Sequence, residues 1–178
     1  MKEQEPLAAE PARSYLVGMP GSGKSTAGPL LAETLGWRFE DLDQQIEAEA
    51  GISIPRFFDE KGEEAFRTTE THLLHQTAVE RRLVVATGGG AVLRNIDWML
   101  DHGTVVWLDP PIAELVARLA DAYQERPLLS TTSLLDLPTA VETLYHERRP
   151  FYARSHHRVL HLEDLLLWGA SQGVPASR

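Results

Sequence analysis

Gly18-Met19-Pro20-Gly21-Ser22-Gly23-Lys24-Ser25 matches the pattern G-x-x-x-x-G-K-[ST], a loop built to hold phosphate. Glycines let the backbone wrap closely round an anion, and the freed N–H groups point inward as donors. The helix that should follow aims its positive end at the same place. In such a loop the lysine reaches the β and γ phosphates and the serine hydroxyl is set to ligate Mg²⁺. The flanks agree. Upstream, Ser14-Tyr15-Leu16-Val17 reads as a short strand. Downstream, Ala27, Leu30, Leu31 and Leu35 fall at helical spacing, and Gly36 is a stop signal. A glycine-rich turn without a ligand is the plain alternative, but strand, loop and helix in this order favour phosphate binding. Pro29 falls inside the new helix and lacks the N–H that would bond the Ser25 carbonyl, so a local kink is expected there.

The rest of the chain extends this pattern. Trp37 to Asp43 reads as a second strand ending in acidic residues, with Asp43 placed to cap the next helix up to Gly51. Ser53 opens a short helix with Phe57 and Phe58, closed by Gly62, and residues 63–80 follow as a longer helix with Phe66, Leu73 and Leu74 on one stripe. Leu83-Val84-Val85-Ala86 and Thr104-Val105-Val106-Trp107-Leu108 are continuous apolar runs of the kind found in parallel strands covered on both faces. A helix near 94–101 separates them, and Asp109-Pro110-Pro111 starts another, with proline in its first turn. Residues 124–137 lack a period and read as a loop of the sort that forms lids. Pro138 opens a helix to about Arg148, ended by Pro150; a short strand (157–161) and a helix (163–169) close the chain. Strands alternating with helices imply a three-layer α/β fold with a parallel sheet. Residues 1–12 read as a disordered tail, 13–170 as a single domain, and 171–178 as a flexible tail.

Composition narrows the function. A chain of 178 residues with 43% hydrophobic content can bury one core unaided. It contains no cysteine, so disulfides and cysteine-held metals are excluded, and a cytoplasmic location is expected. No run is long enough to span a bilayer and no signal segment is evident at the start. The net charge of −9 argues against a nucleic-acid surface, so an anionic substrate must meet a local cluster of cations.

Several residues could supply the chemistry. Asp41 and Asp43 follow the second strand, where ligands bind in open α/β sheets. Two carboxylates two apart on a strand face the same way. One could hold Mg²⁺ through water and the other accept the proton of an attacking hydroxyl. Equally, Asp43 could be only a cap and Asp41 a turn residue. Gly88, Gly89 and Gly90 would admit a ligand close to the backbone or form a plain turn. Arg67, Arg126, Arg148 and Arg149 have the fork that matches carboxylate or phosphate, although most helical arginines face solvent. His72 and His75 lack a third ligand and do not read as a metal site.

Taken together, these stretches resemble the shikimate kinases. The likeness runs from about Tyr15 to Val159: GMPGSGKST, the F-x-D-x-D of Phe39–Asp43, G-x-S-I of Gly51–Ile54, KGEEAFRTTE of Lys61–Glu70, TGGGAV of Thr87–Val92, RPLL of Arg126–Leu129 and ERRPFY of Glu147–Tyr152. The first motif is shared by many kinases; the ordered set is specific. The resemblance implies a P-loop kinase fold, a five-stranded parallel sheet in the order 2-3-1-4-5, with helices 42–80 cradling the substrate and 124–137 as lid. It implies transfer of the ATP γ-phosphoryl group to the 3-hydroxyl of shikimate in aromatic amino-acid biosynthesis, with Mg²⁺ as cofactor. The implied ATP contacts are Gly21, Ser22, Gly23, Lys24, Ser25, Thr26, Arg118 and Arg126, with Mg²⁺ on Ser25 and, through water, Asp41. The implied substrate contacts are Asp43, Arg67, Gly88, Gly89, Gly90 and Arg148; Lys24, Asp43 and Arg126 are the implied catalytic residues. A second basic adenine contact near the C-terminus is not evident. A monomer without nucleic-acid or membrane partners is expected.

Overall fold

The structure, a computed structural model, describes residues 13–121 and 136–172. The expected tail at 1–12, residues 173–178 of the expected tail at 171–178, and residues 124–135 of the expected lid, Arg126 among them, lie outside the described residues.

The described residues form five strands and seven α-helices: β1 (Arg13–Val17), α1 (Lys24–Leu35), β2 (Arg38–Asp41), α2 (Leu42–Ala50), α3 (Ile54–Gln76), β3 (Leu83–Ala86), α4 (Val92–His102), β4 (Thr104–Leu108), α5 (Ile112–Asp121), α6 (Leu137–Tyr152), β5 (His157–Val159) and α7 (Leu162–Gln172). A 3₁₀ turn at Thr77–Val79 follows α3. The strands pair in parallel in the order β2-β3-β1-β4-β5, as expected. Alternation along the strands divides the core. Tyr15, Val17, Val85, Val105 and Trp107 pack under α2 to α6, whereas Leu16, Val84, Val106 and Val159 pack against α1 and α7. Covered on both faces, β3 and nearly all of β4 can be apolar. The register aligns Asp41, Ala86 and Leu16 across β2, β3 and β1, and Val17 with Trp107 on β4. The loops after these strands therefore leave from one edge of the sheet, where the candidate residues collect.

Several local expectations need correction. Asp41, not Asp43, caps α2: its backbone is still extended, and its Oδ1 accepts from the N–H of Asp43 at 3.0 Å and of Gln44 at 3.3 Å. Asp43 already lies in the first helical turn, so the two carboxylates do not share a strand face. Leu30 is 38% exposed and leaves the apolar stripe of α1 to Ala27 and Leu31. The helix continues through Pro29 as one element, with the proline on its solvent side. Pro110 and Pro111 precede α5, and the Pro111 carbonyl accepts its first bonds, from Glu114 and Leu115. Pro150 does not end α6, which continues to Tyr152; the donor it lacks would have bonded the carbonyl of His146, an exposed residue where water can serve instead. Residues 171 and 172 belong to α7 rather than to a tail. The break at Gly62 is as expected: its φ of 80° and ψ of 171° suit glycine almost alone and divide α3 into two segments.

Candidate active site

The phosphate loop wraps around its own lysine. Lys24 opens α1 and is only 8% exposed. Its Nζ donates to the carbonyls of Gly18 at 2.8 Å and Met19 at 2.9 Å, and to Ser22 Oγ at 3.2 Å. The loop also presses on the end of β4: a Cβ at Gly18 would lie 2.4 Å from the Leu108 carbonyl oxygen. Ser25 and Thr26 stand exposed in the first turn of α1, which carries no acidic side chain. The positive helix end is thus left for an anion. Arg118 lies along the outside of the loop, donating to the Gly21 carbonyl at 3.3 Å and pairing with Glu114.

Beside this loop the glycine triplet gathers the charged groups. A Cβ at Gly88 would lie 2.6 Å from Glu70 Oε1 and 2.9 Å from Asp43 Oδ1. At Gly89 it would meet Pro20 of the phosphate loop at 2.8 Å and an Arg148 guanidinium nitrogen at 3.1 Å, and at Gly90 the Arg67 guanidinium at 2.6 Å. The triplet is therefore a floor that side chains would fill, with two carboxylates, two guanidinium groups and the phosphate loop around it. Arg67 donates to Glu70 Oε2 at 2.8 Å, and its side chain is 11% exposed. Glu70 is 1% exposed. Burial pushes its carboxyl above the usual carboxylate range and Asp43 adds to this, while Arg67 and Arg148 oppose it. Arg148 Nε and Glu70 Oε1 are buried without a hydrogen-bond partner among the described residues.

The structure thus brings together Asp43, Arg67, Gly88–Gly90 and Arg148 from four segments far apart in sequence. Arg118 stands apart, on the phosphate loop. Arg149 is exposed. His75 stacks on Trp98 at 4.4 Å, and no cluster of three His, Cys, Asp or Glu able to hold a metal occurs among the described residues. The donors present still suit Mg²⁺, which takes few protein ligands and keeps waters and phosphate oxygens. Ser25 offers an exposed hydroxyl at the loop, and the Asp41 cap uses one oxygen of its carboxylate. Two residues, each closing a stretch quoted above, received no role from the sequence. Glu70 follows Arg67 by three positions, the spacing of a helical ion pair. Tyr152 follows Arg148 by four, which places both on one face of α6.

The model of the shikimate kinase family matches residues 20–166. The chain belongs to the shikimate kinase family. It is 48% identical over 146 residues to the shikimate kinase of Synechococcus elongatus, covering 82% of this chain and 75% of that one. It is 45% identical over 154 residues to the shikimate kinase of Salinibacter ruber, covering 83% and 76%. Among solved structures it resembles the shikimate kinase of Acinetobacter baumannii in complex with shikimate, with a TM-score of 0.81, 35% identity and coverage of 88% and 89%. A gluconokinase from Sinorhizobium meliloti, at 16% identity and a TM-score of 0.56, shares the fold alone. No helix among the described residues of this shikimate kinase family member is long and apolar enough to cross a membrane.

Proposed function

We propose that this chain transfers the γ-phosphoryl group of ATP to the 3-hydroxyl of shikimate, giving shikimate 3-phosphate and ADP, as a cytoplasmic monomer in aromatic amino-acid biosynthesis. The observation that carries the reading is the meeting of Asp43, Arg67 and Arg148 at the glycine triplet beside the phosphate loop, in a member of this family.

In this reading the backbone of Gly21–Gly23 and the first turn of α1, with Ser25 and Thr26, hold the phosphates, while Arg118 reaches toward the adenine. Lys24 exchanges its loop carbonyls for the β and γ phosphates. Arg67 and Arg148 grip the substrate carboxylate with charge-assisted, partly bidentate hydrogen bonds. Gly88, Gly89 and Gly90 let the ring lie against the backbone. Asp43 accepts the proton of the 3-hydroxyl as its oxygen bonds to the γ-phosphorus and the bond to the ADP oxygen breaks. Arg126, by family resemblance, closes over the phosphates. Mg²⁺, held by Ser25 and through water by Asp41, would neutralise phosphate charge. Little covalent help is needed, because such transfers rest on positioning and charge.

The test is ADP release followed with ATP and Mg²⁺ in the presence of shikimate, of gluconate, and of neither. Release that requires shikimate supports the proposal. Release driven by gluconate, or equal without an acceptor, overturns it.

A further inference from the structure

One buried hydroxyl at the triplet has no part in the transfer described above. Tyr152 is fully buried at the last turn of α6 and donates its phenolic O–H to the Gly89 carbonyl at 2.6 Å. Its ring stacks on Trp107 of β4, with centroids 5.7 Å apart. We propose that Tyr152 is a positioning residue that fixes the Gly89–Gly90 peptide, and so aims the acceptor floor at the phosphate loop; this rests on the shikimate reading.

The argument begins with the peptide plane. A trans peptide points its C=O and the following N–H in opposite directions. A hydrogen bond that pins the Gly89 oxygen therefore also fixes where the Gly90 N–H points. Such pinning matters here because three successive glycines have no side chains to restrain them. Gly89 is also where the two halves of the site touch, with Pro20 of the phosphate loop on one side and Arg148 on the other. Arg148 and Tyr152 share one face of α6, so the helix that carries the fork also carries the pin. Trp107 precedes Leu108, whose carbonyl backs Gly18 of the phosphate loop. The stack thus ties the triplet to the strand that supports the nucleotide side. Burial pushes the Tyr152 hydroxyl up to about 12, so it keeps its proton, and its donor role, at any working pH.

Removal of the hydroxyl should loosen the floor without touching the loop. The Tyr152→Phe variant should raise KM for shikimate roughly tenfold, from one lost hydrogen bond and a half-buried carbonyl left without its partner, with KM for ATP unchanged. Trp107→Phe keeps the hydroxyl and weakens only the stack, so it should lower the melting temperature while leaving KM for shikimate within about twofold. Amide hydrogen exchange at Gly90 should quicken in Tyr152→Phe and not in Trp107→Phe, a readout independent of turnover. An unchanged KM for shikimate in Tyr152→Phe overturns the proposal. So does an equal rise in both KM values, or an equal effect of Trp107→Phe, since packing alone would then do the work. If the parent shows no shikimate-dependent turnover, the functional reading fails by itself, and unchanged Gly90 exchange in Tyr152→Phe would separately remove the pin.

Discussion

At the scale of single residues, the site depends on charges held where water cannot screen them. Lys24 is buried against its own loop carbonyls. Replacing it with methionine removes the charge while keeping an apolar stem. Lys24→Met should leave the circular dichroism spectrum intact and lower turnover about a hundredfold or more; activity within tenfold of the parent would remove Lys24 from the mechanism. Glu70 presents the opposite problem, a carboxylate buried mainly at the cost of hydration. Folding raises its affinity for a proton. The advantage of the neutral form is therefore whole below the ordinary carboxylate value, and is lost as pH climbs through the raised folded value. Glu70→Gln lacks this dependence, and the carboxylates remote from Glu70 cancel in a comparison with the parent. The difference in melting temperature should move toward the variant as pH rises from about 4; a flat difference, or one moving toward the parent, would contradict the assignment. Glu70 and Tyr152 are hard to read from sequence because each acts through a neighbour. Their significance lies in what Arg67 and Gly89 do, and that appears only once α3, β3 and α6 are packed.

At the scale of elements, local chemistry was legible and precise ends were less so. The strand, glycine loop and helix at Gly18–Lys24 follow from residue types and spacing, as does the break at Gly62. The start of α2 and the end of α6 do not. Asp41 and Asp43 are both good caps by type, and the choice between them depends on where β2 stops pairing with β3, at Asp41↔Ala86. Likewise Pro150 is a stop signal by rule, but Tyr152 is buried against β4 and the helix holds long enough to place it. The α2 cap yields a clean separation of roles. Asp41→Asn keeps an accepting oxygen and should melt within about 1 °C of the parent, whereas Asp41→Ala should lose about 1 kcal/mol, or some 2–4 °C. If Asp41 also serves Mg²⁺ through water, Asp41→Asn should need more Mg²⁺ for half-maximal turnover. An unchanged Mg²⁺ requirement would leave Asp41 as a cap alone.

At the scale of the whole molecule, the proposed function asks an acidic protein of net charge −9 to accept an acidic substrate. The fold meets this by carrying Arg67 on α3 and Arg148 on α6, 81 positions apart, to neighbouring glycines of one turn. Which arginines matter could be guessed in sequence only by resemblance, because most arginines on helices are solvated. Their convergence is a property of sheet order: β3 lies between β2 and β1, so the triplet is flanked by α2 and α3 on one side and the phosphate loop on the other. The central claim is that this pair of forks recognises the substrate acid independently of the nucleotide. Its most direct test is titration calorimetry of the parent, Arg67→Ala and Arg148→Ala with shikimate and, separately, with ADP. Each variant should lose about 2–5 kcal/mol of shikimate affinity and bind ADP as the parent does. Normal shikimate binding by both variants would contradict the account and point to a kinase with a different acceptor.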